Sequence, residues 1–292
     1  YMKILITGLM VYDSGKTWFT VTLARKLINK GLKISIYKPV AGHSLWHQYP
    51  TIIESIKRGM LFGEDILKYG EVLNVKDIKQ LALMNPIDIL FAPLDIVKYI
   101  DDRNIEKAFV DLENQFLQMV LARVSFCSDS VTKYYVFREN ISRTTHRVRE
   151  VIDLLARKFN AIETDVMIFN RLLQSKEVDD QLSTCLEMLA KDNDVVLIES
   201  FNNSLIPYIG LIKEEIDILF VVYPSVVLIY RSSIKDLMRF VAQNIYVYGD
   251  KTLVTDVLVN NFRYDRYYVL KPRVSVYDDD EIFDDILKHI AL

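Results

Sequence analysis

The chain has 292 residues, 51% of them apolar and 26% charged, with a net charge of −3 at pH 7. That length can bury a sizeable core in one large or two small domains, and the near-balanced charge gives no general attraction to nucleic acid or anionic membrane. No apolar run approaches the roughly 20 residues of a membrane helix, and the N-terminus carries no signal-peptide pattern. Neither nucleic acid nor membrane is therefore expected as a partner, and the expected compartment is the cytoplasm. Cys127 and Cys185 lack metal-ligand spacing and read as buried free thiols in a reducing compartment.

The first element is the most informative. Ile4-Leu5-Ile6 reads as a buried strand that breaks at Gly8 into a loop closing on Gly15-Lys16-Thr17. A helical pattern (Phe19, Leu23, Leu27, Ile28) begins at once. Backbone N–H groups of such a loop, with the helix dipole behind them, suit the phosphates of a nucleotide. Lys16 would reach the terminal phosphates and the Thr17 hydroxyl would ligate Mg²⁺. The loop residues Asp13 and Ser14, and Trp18 inside the helix, join Gly8, Gly15, Lys16 and Thr17 as expected nucleotide contacts. Six residues separate Gly8 from Gly15, where the common pattern has four. A chance Gly-Lys-Thr in an ordinary strand-turn-helix is the competing reading; its place at the first strand-to-helix junction favours phosphate. ATP and Mg²⁺ are the expected ligands.

Gly31 stops this helix, and 33–37 (KISIY) reads as a second strand running into Lys38-Pro39-Val40-Ala41-Gly42 and His43-Ser44. Proline fixes the backbone and Gly42 permits a tight turn, so Lys38 is held at a strand's carboxyl edge, where open α/β sheets bind ligands. Strand, loop, Gly-Lys-Thr, helix and then Tyr-Lys-Pro-Val-Ala resembles the dethiobiotin synthetase family of P-loop ATPases. The resemblance implies that Lys38 lies beside the phosphates and a substrate carbamate. It extends to Gly63-Glu64-Asp65-Ile66-Leu67, where it makes Asp65 a magnesium partner. It extends also to Asn85-Pro86 with Pro93, where Asn85, together with Ser44, approaches the substrate. Read without it, Asp65 is equally an acid at a helix start and Asn85-Pro86 an ordinary turn.

From about 95 to 190 the resemblance fades. A helix is expected over 108–124, with Phe109, Leu112, Phe116, Met119 and Val120 on its inner face, then a short strand at 134–137 and helices over 142–158 and 178–191. Arg143, His146, Arg147 and Arg149 form a basic cluster that is either a solvated face or a contact to nucleotide or partner. The segment around 100–160 reads as a mostly helical, lineage-specific insertion within a single domain spanning 1–292.

A central parallel strand is expected at 194–199, ending in Glu199 as the second acidic partner of the Thr17 magnesium. The synthetases continue with Gly-Ala-Gly-Gly; here the residues are Ser200-Phe201-Asn202-Asn203-Ser204, so the likeness carries the nucleotide further than the substrate. Strands are expected at 217–223 and 253–259, with a helix over 234–243 between them. The family's adenine-reading asparagine falls at Asn260, although Asn260-Asn261 also suits a turn. An acidic start leads into a docked helix over 278–292.

The expected fold is α/β: a doubly wound, mostly parallel sheet flanked by helices, of P-loop NTPase type. The resemblance implies an ATP-dependent ligase or ATPase that activates a carboxylate or carbamate by phosphoryl transfer, as in biotin biosynthesis. Lys16 and Lys38 would be catalytic, a small carboxylate or diamine the second substrate, and the assembly a homodimer. Two alternatives are an amidating synthetase of the corrinoid type and a nucleotide-dependent regulatory switch.

Overall fold

The computed structural model describes residues 1–248, 253–275 and 278–290. In chain order its elements are β1 (Met2–Gly8), α1 (Lys16–Asn29), β2 (Ile34–Tyr37), β3 (Val40–Ser44), α2 (Tyr49–Arg58), α3 (Glu64–Val72), α4 (Ile78–Met84) and β4 (Ile87–Phe91). There follow α5 (Ile96–Asp101), α6 (Ile105–Glu113), β5 (Met119–Phe126), β6 (Val131–Val136), α7 (Arg138–Ile141), α8 (His146–Lys158), β7 (Ile162–Glu163), α9 (Val166–Leu173) and α10 (Lys176–Ala190). The last are β8 (Val195–Glu199), β9 (Ile218–Tyr223), β10 (Val226–Tyr230), α11 (Ile234–Tyr248), α12 (Thr255–Asn261), β11 (Arg266–Val269) and α13 (Ile282–Leu287). The chain is a mixed α/β protein that divides into two compact units, residues 1–39, 68–76 and 182–292 forming the first and 40–67 and 77–181 the second.

The first unit is built on a six-stranded sheet in the order β11-β10-β9-β1-β8-β2. The four strands β9, β1, β8 and β2 are parallel, and β10 and β11 add antiparallel edges. Ile4, Leu5, Ile6, Val196, Leu197 and Ile218 are wholly buried, which is why these strands read as unbroken apolar runs rather than alternating ones. Phe19 of α1 lies 5.0 Å from Phe220 of β9 and 5.2 Å from Phe283 of α13, so the first helix is packed on the sheet and the terminal helix on it. That terminal helix spans Ile282–Leu287, shorter than expected, with residues 291–292 outside the described part.

The second unit holds a five-stranded mixed sheet, β3-β4-β5-β6-β7. Its middle strand β5 has all eight residues buried and pairs antiparallel with both neighbours. Val148, Ile152 and Leu155 of α8 join the core over it, where Tyr134 and Phe159 stack at 4.5 Å.

Several expectations change. The helix expected over 108–124 ends at Glu113, and Met119 and Val120 belong to β5; a strand buried on both faces and a buried helix share the same apolar run, and periodicity does not separate them. Gly42 makes no turn but sits within β3, opposite Ile89 of β4. The strand expected at 253–259 is the helix α12, because the place beside β9 is taken by Val226–Tyr230, folded back through the two-residue turn Pro224-Ser225 with Ser225 at φ 71°. Cys127 and Cys185 are disulfide-bonded rather than free thiols, so the argument from them to a reducing compartment does not hold; separation along the chain carries no information about pairing. Among the described residues no helix is long and apolar enough to cross a membrane.

Candidate functional site

In the first unit, the parallel registers set Ile6 opposite Glu199 and Gly8 opposite Val222, so the carboxyl ends of β8, β1 and β9 share one edge of the sheet. The Leu9 N–H donates to the Val222 carbonyl at 3.1 Å, and the chain then loops out through Met10, Val11 and Tyr12, all exposed. It returns through two left-handed residues, Asp13 at φ 52° and Gly15 at φ 87°, and enters α1 with Ser14 buried beneath. A Cβ built on Gly8 would stand 2.3 Å from Ser14 Oγ and 2.8 Å from Lys16 Nζ, so the returning loop lies directly on the strand end and only glycine fits there. No side chain caps α1, and no acidic residue stands in its first turn, leaving the positive end of the dipole unopposed from within the helix.

Lys16 Nζ donates to the Asn202 carbonyl at 2.6 Å and to Ser14 Oγ at 3.1 Å. The ammonium therefore bridges the glycine-bounded loop and the segment after β8. Asn202 is left-handed at φ 47°, and the segment is tied down by Thr7 Oγ1, which donates to the Ser204 carbonyl at 2.6 Å. Thr17, second in α1, is half-buried.

Glu199 is fully buried and accepts three hydrogen bonds. Lys38 Nζ donates to Oε1 at 2.9 Å, Thr20 Oγ1 to Oε2 at 2.7 Å, and the Tyr69 hydroxyl also to Oε2. Lys38 is itself only 7% exposed along its side chain. The structure thus brings the two expected site residues Lys38 and Glu199 together as a buried ion pair. This geometry does not fit Glu199 as a direct magnesium ligand, because its oxygens are engaged and none faces solvent. Thr17 fits as a ligand by chemistry and position, at the mouth of the loop. Among the described residues no three His, Cys, Asp or Glu side chains converge in a metal-binding cluster.

Asp65, Ser44 and Asn85 belong to the second unit. Ser44 ends β3, and its Oγ accepts from the His47 N–H at 3.2 Å. Asn85 is wholly buried, accepting from Arg123 Nη2 at 2.8 Å and donating to the Ile87 carbonyl at 2.8 Å; its role is to hold a buried arginine. Asn260 is exposed on α12 rather than at a strand end.

Sequence reasoning missed a cleft of about 250 Å³ that adjoins the loop. Asp13, Ser14, Gly15 and Trp18 form one side, the turn at Tyr223-Pro224 another, and Leu270, Lys271 and Arg273 a third. Arg273 is anchored by Asp280 at 3.7 Å, by the Thr22 hydroxyl and by the face of Phe283 at 5.0 Å. Burial pulls its pKa down, and Asp280, Asp278 and Asp279 oppose that. The only cue in the sequence is the pair of cations flanking Pro272 after an apolar run. Thr20 and Tyr69 were missed as well; each lies one helical turn beyond a residue that was noticed, Lys16 and Asp65. No known family model matches this chain, and no curated protein does.

Proposed function

We propose that the first unit binds a nucleoside triphosphate, ATP in the first instance, at the loop between Gly8 and Thr17. The observation that carries this is the loop laid on Gly8, turning left-handed at Gly15 into an uncapped helix with Lys16 Nζ held over the strand end. Loop amides and the Lys16 ammonium would take the phosphates, and Thr17 a magnesium ion that arrives with the nucleotide. The ion supplies charge neutralisation at the phosphates; the chain's residues supply position. The base and ribose would lie in the cleft between Trp18 and Tyr223, with Lys271 and Arg273 beside them, rather than at Asn260.

On the reading that resembles dethiobiotin synthetase, the nucleotide's terminal phosphoryl group passes to an oxygen of a small carboxylate or carbamate. Lys16 then stabilises the charge on the transferred group. Lys38 serves this reading only by exchanging Glu199 for substrate. One observation favours the second reading, a regulatory ATPase. Lys16 must leave the Asn202 carbonyl to grip phosphate, so nucleotide binding would remove one tether of the 200–204 segment while those from Thr7 and Thr255 stay in place. An amidating synthetase would use the same loop with a different acid.

Isothermal calorimetry with millimolar Mg·ATP should register binding that Lys16→Ala removes. Absence of heat with the unaltered protein overturns the proposal. Turnover with 7,8-diaminononanoate and bicarbonate identifies the synthetase reading; slow hydrolysis indifferent to that diamine identifies the regulatory one.

A further inference from the structure

We propose that the second unit binds a small planar aromatic acid in a cleft at the start of α2 and α8. The cleft lies wholly in that unit, so the inference does not rest on nucleotide binding. It holds about 340 Å³ and is lined by Leu45, Trp46, Tyr49, Arg147, Val148 and Val151. Sites for small molecules are largely preformed hollows of roughly 300–1,000 Å³, with apolar walls and a few polar groups that orient the ligand. At the lower end of that range there is room for one or two rings with a short acidic arm.

The apolar lining divides into a fixed base and an uncovered wall. Leu45 and Val148 are 2% and 5% exposed and belong to the core over β5, with Val151 packed against it, so this part of the cleft exists before any ligand arrives. Trp46 is 66% exposed, more than any other Phe, Tyr or Trp among the described residues, and Tyr49 is 45% exposed. Neither side chain makes a hydrogen bond or a ring contact among the described residues, although tryptophan is on average a highly buried residue. A flat ring laid against them would cover both and gain the offset contacts that aromatic pairs favour.

Charge selects the acid. Of Arg143, His146, Arg147 and Arg149, Arg147 is the one that lines the cleft, and the lining carries no carboxylate. Its pairing with Glu150 is 3.5 Å long and exposed on both sides, a surface pair that adds little and that a ligand carboxylate can replace. Tyr49 opens α2 and Arg147 is second in α8; neither helix has a side-chain cap or an acid in its first turn, so both dipoles add to the preference for an anion. An aromatic cation, which the same rings would otherwise suit, would be repelled by Arg147.

Isothermal calorimetry of the full chain with 2-naphthoate and with 2-naphthamide, the same ring without the charge, tests this. The expected dissociation constant for 2-naphthoate is about 1 mM or lower, on ordinary efficiencies for a ligand of its size. Arg147→Gln should raise it about tenfold while leaving the amide as it was, and Trp46→Ala should raise both about tenfold. Absence of heat with 2-naphthoate up to about 5 mM overturns the proposal, as does an amide that binds the unaltered chain as tightly as the acid. Binding that survives Trp46→Ala but is lost with Trp18→Ala puts the acid in the first unit's cleft and overturns it too. Trp46 and Arg147 are both exposed, so neither substitution removes a core contact, and the measurement on the unaltered chain stands alone whichever variant fails to fold.

Discussion

Replacing Glu199 by Gln separates an anchor from a metal ligand. The substitution keeps the shape of the side chain and removes its charge, taking away the carboxylate that stands 2.9 Å from the 7% exposed Lys38 ammonium. Breaking a buried pair from one side costs about 3–5 kcal/mol, and neither partner here is exposed enough to be screened by water. Lys38→Met should cost less, about 2–3 kcal/mol, because Thr20 and Tyr69 still donate to the carboxylate. Removing both charges together leaves two buried neutral groups, and the double variant should cost no more than the worse single one. The resulting coupling energy is at least about 2 kcal/mol. Urea unfolding reads it, with Trp18 as the reporter of the first unit in a Trp46→Phe background, since these are the only two tryptophans. A coupling below about 0.5 kcal/mol would refute the ion pair as an anchor. So would a Glu199→Gln protein of unchanged midpoint that has lost only its magnesium dependence.

Gly8→Ala should abolish Mg·ATP heat in calorimetry and cost about 1–3 kcal/mol of stability, because the methyl group would overlap Ser14 and Lys16; retention of full affinity would mean that the loop is not seated on the strand end. Burial pushes the Tyr230 hydroxyl up to about 12, with Tyr264 and Asp265 adding to it. The folded chain thus keeps a proton that the unfolded chain gives up near pH 10, so this contribution is fully present below about 10 and is lost between about 10 and 12. Tyr230→Phe should flatten alkaline unfolding in that window by about 2 kcal/mol, and an unchanged pH profile in chemical denaturation would count against it. Arg123 is fully buried among the Leu61 carbonyl, Asn85 and Ser125, and desolvation lowers its pKa while Asp88 and Tyr134 oppose that. Arg123→Ala should therefore cost at least about 3 kcal/mol of stability in the second unit, measured by the Trp46 signal, and a loss below 1 kcal/mol would mean that its hydrogen bonds contribute little.

How much of the fold was legible depended on whether burial and periodicity spoke for the same element. β1, β8 and β9 are continuous apolar runs of strand length bounded by Gly8, Glu199 and the Pro224 turn, and each was read in place. β5 is the same kind of run, but Phe109, Leu112 and Phe116 precede it at helical spacing and drew one long helix across the boundary at Asn114. The face that made the helix look like core is the face that α6 leaves exposed. At 253–259 the β-branched residues suggested a strand, and tertiary contacts decided otherwise. Thr255 bonds Thr7 Oγ1 at 2.7 Å and the Asn203 carbonyl at 2.9 Å, and the sheet position was filled by β10.

The candidate site divides along the same line. The loop from Gly8 to Thr17 is a local object: its glycines, its left-handed turn and its helix start lie within ten consecutive residues, so spacing alone could point to it. Glu199 is different. Its donors come from positions 161, 179 and 130 residues away, on Lys38, Thr20 and Tyr69, and no pattern in sequence says how many donors will converge on a strand-end carboxylate. That number decides the chemistry. A carboxylate with one neighbour and water on its other side can hold a hydrated cation; one that accepts from an ammonium and two hydroxyls in a dry core is already neutralised and serves as a post for its donors. The same reasoning turns Lys38 from a waiting catalyst into half of a pair, which must part before it can act. Lys16 donates to a backbone carbonyl and a serine hydroxyl at the mouth of the loop, and on the proposed reading it would exchange them for a phosphate, which offers more charge than either.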